Sequence, residues 1–181
     1  MQEENNIYYF SDYEPYRING EENKKFSKRT GGYLLDLKEN KDCGVNYFKK
    51  IIINEFKEVT NLNEVDIITI VPRSEAGEFR EGMIRLAQSI ENEFDNIKFV
   101  FCLNRRISVP KKANGGPRSL QLEKDTIEAT NVEIFENKNI LLFDDVTTTG
   151  TSLESCREIL IENGANDVVC LALGKTVNHH I

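Results

Sequence analysis

No stretch of the 181-residue sequence approaches the apolar length needed to span a membrane. Metal-type cysteine spacing is missing too. The four cysteines, at positions 43, 102, 156 and 170, form no CxxC or His-paired pattern, which argues against zinc ligation. Cys102 and Cys170 fall in apolar stretches, where cysteine behaves as a small hydrophobe, so the thiols are expected to be reduced. Basic charge is in deficit, with 23 Lys and Arg against 30 Asp and Glu, a net charge of −7 and a pI near 5.0. That balance argues against a surface built for nucleic acid or acidic membranes. Repeats, low-complexity tracts and linkers are also lacking, so one domain is expected, with enough apolar content to bury a core unaided. The N-terminus is acidic and polar with no apolar run behind it, and a cytoplasmic location is expected.

What is present centres on Ile140 to Ser152, Ile-Leu-Leu-Phe-Asp-Asp-Val-Thr-Thr-Thr-Gly-Thr-Ser. Ile140 to Phe143 is a continuous apolar run, the pattern of a strand covered on both faces, and it stops at Asp144 and Asp145. Leu153, Cys156 and Leu160 then recur at helical spacing up to Gly164, a suitable C-cap. The intervening turn joins a strand to a helix start, where backbone N–H groups and the helix dipole favour an anion. Gly150 allows close backbone approach, and the side chains of Thr148, Thr149, Thr151 and Ser152 add O–H donors. A helix cap needs one hydroxyl, and this turn offers five when Thr147 is counted. The expected guest is a phosphate monoester. The two acids would repel it, so they are expected to face sugar hydroxyls, a developing positive charge or a magnesium ion.

The flanking chain predicts an alternating architecture. Asp66 to Val71 reads as a second buried strand and ends at Pro72-Arg73-Ser74-Glu75-Ala76-Gly77, a turn suited to an anion. Phe79, Met83, Leu86, Ala87, Ile90 and Phe94 mark a helix face, and Lys98 to Leu103 and Val168 to Leu173 read as further strands. Four apolar strands alternating with helices imply an α/β fold with a mainly parallel twisted sheet, ligands binding at strand C-termini. Val45, Phe48, Ile52 and Phe56 give an earlier helix. Ile7 to Phe26, dense in Tyr and Phe without clean periodicity, is expected to form a small irregular N-terminal cap. Residues 1–60 then comprise cap and helix, and 61–181 the sheet core with a flexible loop over 104–137. Phe99 to Leu122 contains no Asp or Glu, whereas Arg105, Arg106, Lys111, Lys112 and Arg118 fall inside it. In an acidic chain that asymmetry suggests a polyanion. Gly174-Lys175-Thr176 is no P-loop ending, since Val169 stands where the first glycine is required. His179 and His180 read as an exposed pair.

The run Leu-Leu-Phe-Asp-Asp-Val-Thr-Thr-Thr-Gly-Thr-Ser resembles the phosphoribosyl pyrophosphate (PRPP) motif of type I phosphoribosyltransferases. The likeness covers roughly Leu34 to Thr176. Within that superfamily the chain is similar to the ComF branch through Leu-Asp-Leu-Lys at 35–38, Val71-Pro72, the Arg-rich loop with Gln121, Asn-Gly-Ala at 163–165 and Leu-Gly-Lys-Thr at 173–176. The paired N-terminal cysteines of many ComF proteins are absent, and Ser152 replaces the more usual Thr.

The resemblance implies that Asp144 and Asp145 act on the ribose 2- and 3-hydroxyls and that Thr148, Thr149, Gly150, Thr151 and Ser152 hold the 5-phosphate. It implies an Mg²⁺-dependent enzyme in which a nitrogen nucleophile, a base or an amine, displaces pyrophosphate from C1 of PRPP. The loop at 104–137 would close over pyrophosphate, and a homodimer is the family's leaning. Charge then assigns carboxylates to the cation-like sugar, and Arg73, Ser74, Arg105, Arg106, Lys111 and Lys112 to the pyrophosphate. A PRPP-binding regulator, or a ComF-like accessory protein without transferase activity, would carry the same central motif.

Overall fold

Period-two burial governs the central strands. Ile68, Ile70, Leu141, Phe143, Leu171 and Leu173 point into one apolar core, while their neighbours Ile67, Ile140, Leu142, Val168, Cys170 and Ala172 point into a second. A sheet apolar on both faces must be covered on both, which calls for helices on each side. The computed structural model, describing residues 1–18, 20–58, 64–110 and 119–177, has that layered arrangement. Its elements include β6 (Ile67–Ile70), α3 (Glu81–Glu91), β7 (Lys98–Phe99), β10 (Asn139–Thr147), α6 (Thr151–Glu162) and β11 (Asp167–Thr176). β6, β10 and β11 pair in parallel, and β7 adds in parallel to β6. Helices α1 (Thr30–Lys38), α2 (Asp42–Glu58) and α3 share the first core, and α6 the second. Val45, Phe48, Ile52 and Phe56 are buried on one face of α2, as their spacing predicts. The C-terminus of α6 closes with Gly164 at φ 99° and Ala165 N–H on the Leu160 carbonyl at 3.1 Å, a left-handed cap.

Three expectations need correction. The N-terminal segment is not irregular. β1 (Gln2–Glu4) pairs antiparallel with β2 (Ile7–Tyr9), and β2 and β3 (Asp12–Tyr13) pair in parallel with β11, so the sheet runs β1-β2-β11-β10-β6-β7. Tyr9 and Tyr13 are buried by that pairing, and the outlying hairpin β4 (Arg17–Ile18) and β5 (Glu21–Glu22) is joined through Asn23, whose amide donates to Glu14 and Pro15. A strand recruited by backbone pairing needs little side-chain periodicity, which is why the pattern was silent there.

The stretch 98–103 is not one strand. Val100 N–H still reaches the Ile68 carbonyl at 3.0 Å, but the next donor, Cys102 N–H, is taken by the Thr69 hydroxyl at 3.1 Å, and the chain leaves the sheet. It continues as β8 (Leu103–Arg105), paired antiparallel with β9 (Ile127–Ala129). The described parts of the segment 104–137 accordingly hold regular elements where a flexible loop is expected. Besides β9 it contains α4 (Leu120–Thr126), capped by the Ser119 hydroxyl, and α5 (Val132–Phe135), anchored by the fully buried Phe135. Lys111, Lys112 and Arg118, like His179 and His180, lie outside the described residues.

Candidate functional site

The acids stand where the sheet thins. β10 keeps β11 as a neighbour out to Thr147, but its pairing with β6 ends at Phe143, whose carbonyl accepts Val71 N–H at 2.9 Å. Asp144 and Asp145 therefore lie within the strand rather than beyond it, at the point where β6 turns away and a cleft opens. Each carboxylate fixes its own rotamer on the following backbone: Asp145 N–H donates to Asp144 Oδ1 at 2.8 Å, and Val146 N–H to Asp145 Oδ1 at 2.7 Å. The other Asp145 oxygen, Oδ2, is buried without an aligned hydrogen bond but meets Arg80 Nε at 2.7 Å and Lys38 Nζ at 3.7 Å as charge contacts. Burial, then the Asp145 charge, raises the pKa of the neighbouring Tyr13 hydroxyl above 10.0.

The hydroxyl-rich turn joins β10 to α6. Gly150 has φ 82° and opens α6, and its N–H donates to the buried Thr147 hydroxyl at 3.0 Å. A Cβ at Gly150 would lie 2.5 Å from the terminal methyl of Ile7, which a rotamer change can move, so it is the left-handed backbone that reserves the position for glycine. Thr149 and Thr151 join hydroxyls at 2.8 Å, and Thr148 reaches Thr176 at 3.2 Å. Ser152 differs. Its hydroxyl lies 3.1 Å from Glu123 Oε1, and because a carboxylate only accepts, Ser152 donates its single proton there.

The cleft between these turns has a volume of about 470 Å³. Asp144, Asp145 and the turn from Thr148 to Ser152 line one side, and Arg73 and Ser74, with Val71 and Pro72, line the other. Four cationic side chains, Lys38, Arg73, Arg80 and Arg105, border it against the two carboxylates, although the chain as a whole carries −7. Arg73 is held by Glu75 at 3.0 Å and Glu78 at 3.6 Å. Arg105 borders the cleft but is 3% exposed, and its groups are taken: Nε by the Arg73 carbonyl at 2.5 Å, one amino group by Thr126 at 2.7 Å, the other by Glu123 at 2.5 Å. It acts there as a structural cation. Arg106 points elsewhere, exposed and contacting Glu128 and the Asp125 carbonyl.

Sequence reasoning missed Lys38, Arg80 and Glu123. Lys38 ends α1 and Arg80 precedes α3, and both reach Asp145 only because those helices cross closely. Glu123 lies in the stretch read as a loop. Its helical spacing to Thr126 and the Ser119 cap were the available signals.

Among the described residues, no group of three or more His, Cys, Asp or Glu side chains could hold a metal by itself. Asp144 and Asp145, adjacent in the cleft, are the carboxylates that would meet an Mg²⁺ keeping water and ligand phosphates in its shell. No helix of the described residues is long and apolar enough to cross a membrane.

No sequence-family profile and no curated sequence matches the chain. Solved structures do share its outline. Phosphoribosylpyrophosphate synthetase from Mycobacterium smegmatis aligns at 18% identity and a TM-score of 0.44, over 71% of this chain and 33% of that one. A hypoxanthine phosphoribosyltransferase from Staphylococcus aureus aligns at 14% and 0.42, over 82% and 77%. A purine phosphoribosyltransferase from Pyrococcus horikoshii Ot3 aligns at 13% and 0.42, over 95% and 86%. The chain thus spans about a third of the synthetase. These likenesses are weak in sequence and in superposition.

Proposed function

We propose that the cleft binds Mg²⁺–PRPP and that the protein transfers its phosphoribosyl group to a nitrogen nucleophile, a base or an amine, releasing pyrophosphate. The observation that carries this reading is the gathering in one cleft of a helix-start turn rich in hydroxyls, two carboxylates beside it, and the cations Lys38, Arg73 and Arg80 along its border. The turn from Thr148 to Ser152 would take the 5-phosphate through backbone N–H groups and threonine hydroxyls, Ser152 contributing mainly its backbone. Asp144 and Asp145 would face the ribose, and Arg73, Ser74 and Arg80 the pyrophosphate. Arg106, Lys111 and Lys112 remain candidates for closing over it. When bound, Mg²⁺ supplies charge to the leaving phosphates. The carboxylates stabilise the cation-like sugar only as C1–O breaks, so their effect falls on rate more than on affinity.

One observation favours a second reading, a PRPP-binding regulator or ComF-like accessory protein. Asp145 is already neutralised by Arg80 and Lys38 and does not stand ready as a bare anion.

Calorimetry of PRPP with and without Mg²⁺, combined with pyrophosphate release over a panel of bases and amines, separates the two. PRPP should bind only with Mg²⁺, in competition with ribose 5-phosphate. Asp145→Asn should hold PRPP affinity within about tenfold, since it loses one hydrogen bond of about 1 kcal/mol. Its turnover should fall about a hundredfold or more. Binding without release for any acceptor would favour the regulator, and no PRPP binding at all would end both readings.

A further inference from the structure

The two turns that face each other across the cleft are joined behind it by one buried carboxylate. Glu123, 2% exposed, accepts the Ser152 hydroxyl at 3.1 Å on Oε1 and Arg105 at 2.5 Å on Oε2. Arg105 in turn donates through Nε to the Arg73 carbonyl at 2.5 Å, and its own carbonyl accepts Gly77 N–H at 3.0 Å. A continuous chain of polar contacts therefore runs from the start of α6 through α4 and the end of β8 into the turn after β6. Nothing in the sheet requires it: β6 and β10 are already paired, and the tie begins where that pairing stops. It spans the gap on which the cleft opens.

We propose that Glu123 is a positioning residue that fixes the distance between the two anion-binding turns, making the cleft selective for a ligand with anionic groups at both ends. This rests on the reading of the cleft as a PRPP site. A ligand held at two places gains from rigid spacing, because its second contact forms at an effective concentration set by the first. A ligand held at one end gains nothing from it. The carboxylate also stands beside a phosphate turn, where Arg105 neutralises a charge that would otherwise repel the guest. The pair thus supplies geometry without net charge.

The test compares three probes, PRPP, ribose 5-phosphate and inorganic pyrophosphate, by calorimetry with Mg²⁺. Glu123→Ala alone would leave Arg105 buried without its partner and could unfold the protein. Two other variants are used: Arg105→Met with Glu123→Leu, which removes both charges and keeps the volume, and Glu123→Gln, which keeps an acceptor for Ser152. In the double variant, PRPP affinity should fall at least about tenfold while ribose 5-phosphate and pyrophosphate each stay within about threefold. Glu123→Gln should lie between. A parallel fall for all three probes would mean a merely structural role and overturn the proposal, as would unchanged PRPP affinity. Loss of native circular dichroism in both variants would also count against it, since a tie between two turns does not hold up the sheet. If wild type binds none of the probes, the PRPP reading fails and this proposal with it; if wild type binds them and the double variant does so equally well, only the proposal fails.

Discussion

Asp145 shows how one side chain can hold several demands. One oxygen is fixed by the Val146 N–H, and the other faces Arg80 and Lys38. An exposed ion pair contributes little, but here the Asp145 side chain is 11% exposed and that of Arg80 33%, so screening is only partial. A double-mutant cycle of Arg80→Ala and Asp145→Asn, followed by urea midpoint, should give a coupling of about 1–2 kcal/mol. Additive losses would mean that the two groups do not meet in solution. The motif containing Asp145 was plain in sequence because strand, acids and turn are contiguous. Arg80 was not, because nothing local marks a cation that finishes its approach through tertiary packing.

Elements supply that packing. α3 meets the end of α1 almost backbone to backbone: a Cβ on Gly82 would lie 1.9 Å from the Leu37 carbonyl oxygen. Leu37 precedes Lys38, and Gly82 follows Arg80 by two residues, so this crossing delivers both cations to Asp145. Only a residue without a side chain permits it. Gly82→Ala should therefore destabilise the protein by about 1–3 kcal/mol despite its better helix propensity, because the helices must part. Thermal unfolding measures this, and PRPP affinity should fall with it. A stabilised Gly82→Ala would show that the helices cross less closely. The segment 104–137 teaches the complementary lesson. Its composition looked like a loop because short elements such as α4 and α5 carry too few residues for a period to declare itself.

For the whole molecule, the most general consequence of burial is a set of inert thiols. Burial pushes Cys102 and Cys170 up to about 12 from an ordinary 9.0, and raises Cys156 well above it. Folded-state pKa values above the unfolded ones mean that the native state holds its protons longer. Stability from this source is full below about pH 9 and is lost as pH rises towards 12. The slope is at most about 1.4 kcal/mol per pH unit for each thiol. Melting temperatures should thus be insensitive to these groups at neutral pH and fall steeply above pH 9 in a way that Cys102→Ala and Cys170→Ala flatten. A thiol reagent at neutral pH should label the exposed Cys43 alone among the four. Rapid native labelling of the others would contradict the two-core packing.

The sequence by itself determined the strand-turn-helix unit from Ile140 to Leu160, the alternation that makes an α/β sheet, and the helix faces of α2 and α3. Each of these is written in neighbouring residues, through period-two or helical spacing, glycine and hydroxyl placement. The tertiary structure alone decided that the N-terminal strands extend the sheet, that Lys38 and Arg80 converge on Asp145, and that Arg105 is locked to Glu123 rather than free in the cleft. Those outcomes depend on backbone pairing and on contacts between residues far apart in the chain, whose energy arises only once two covered faces and a helix crossing have brought them together.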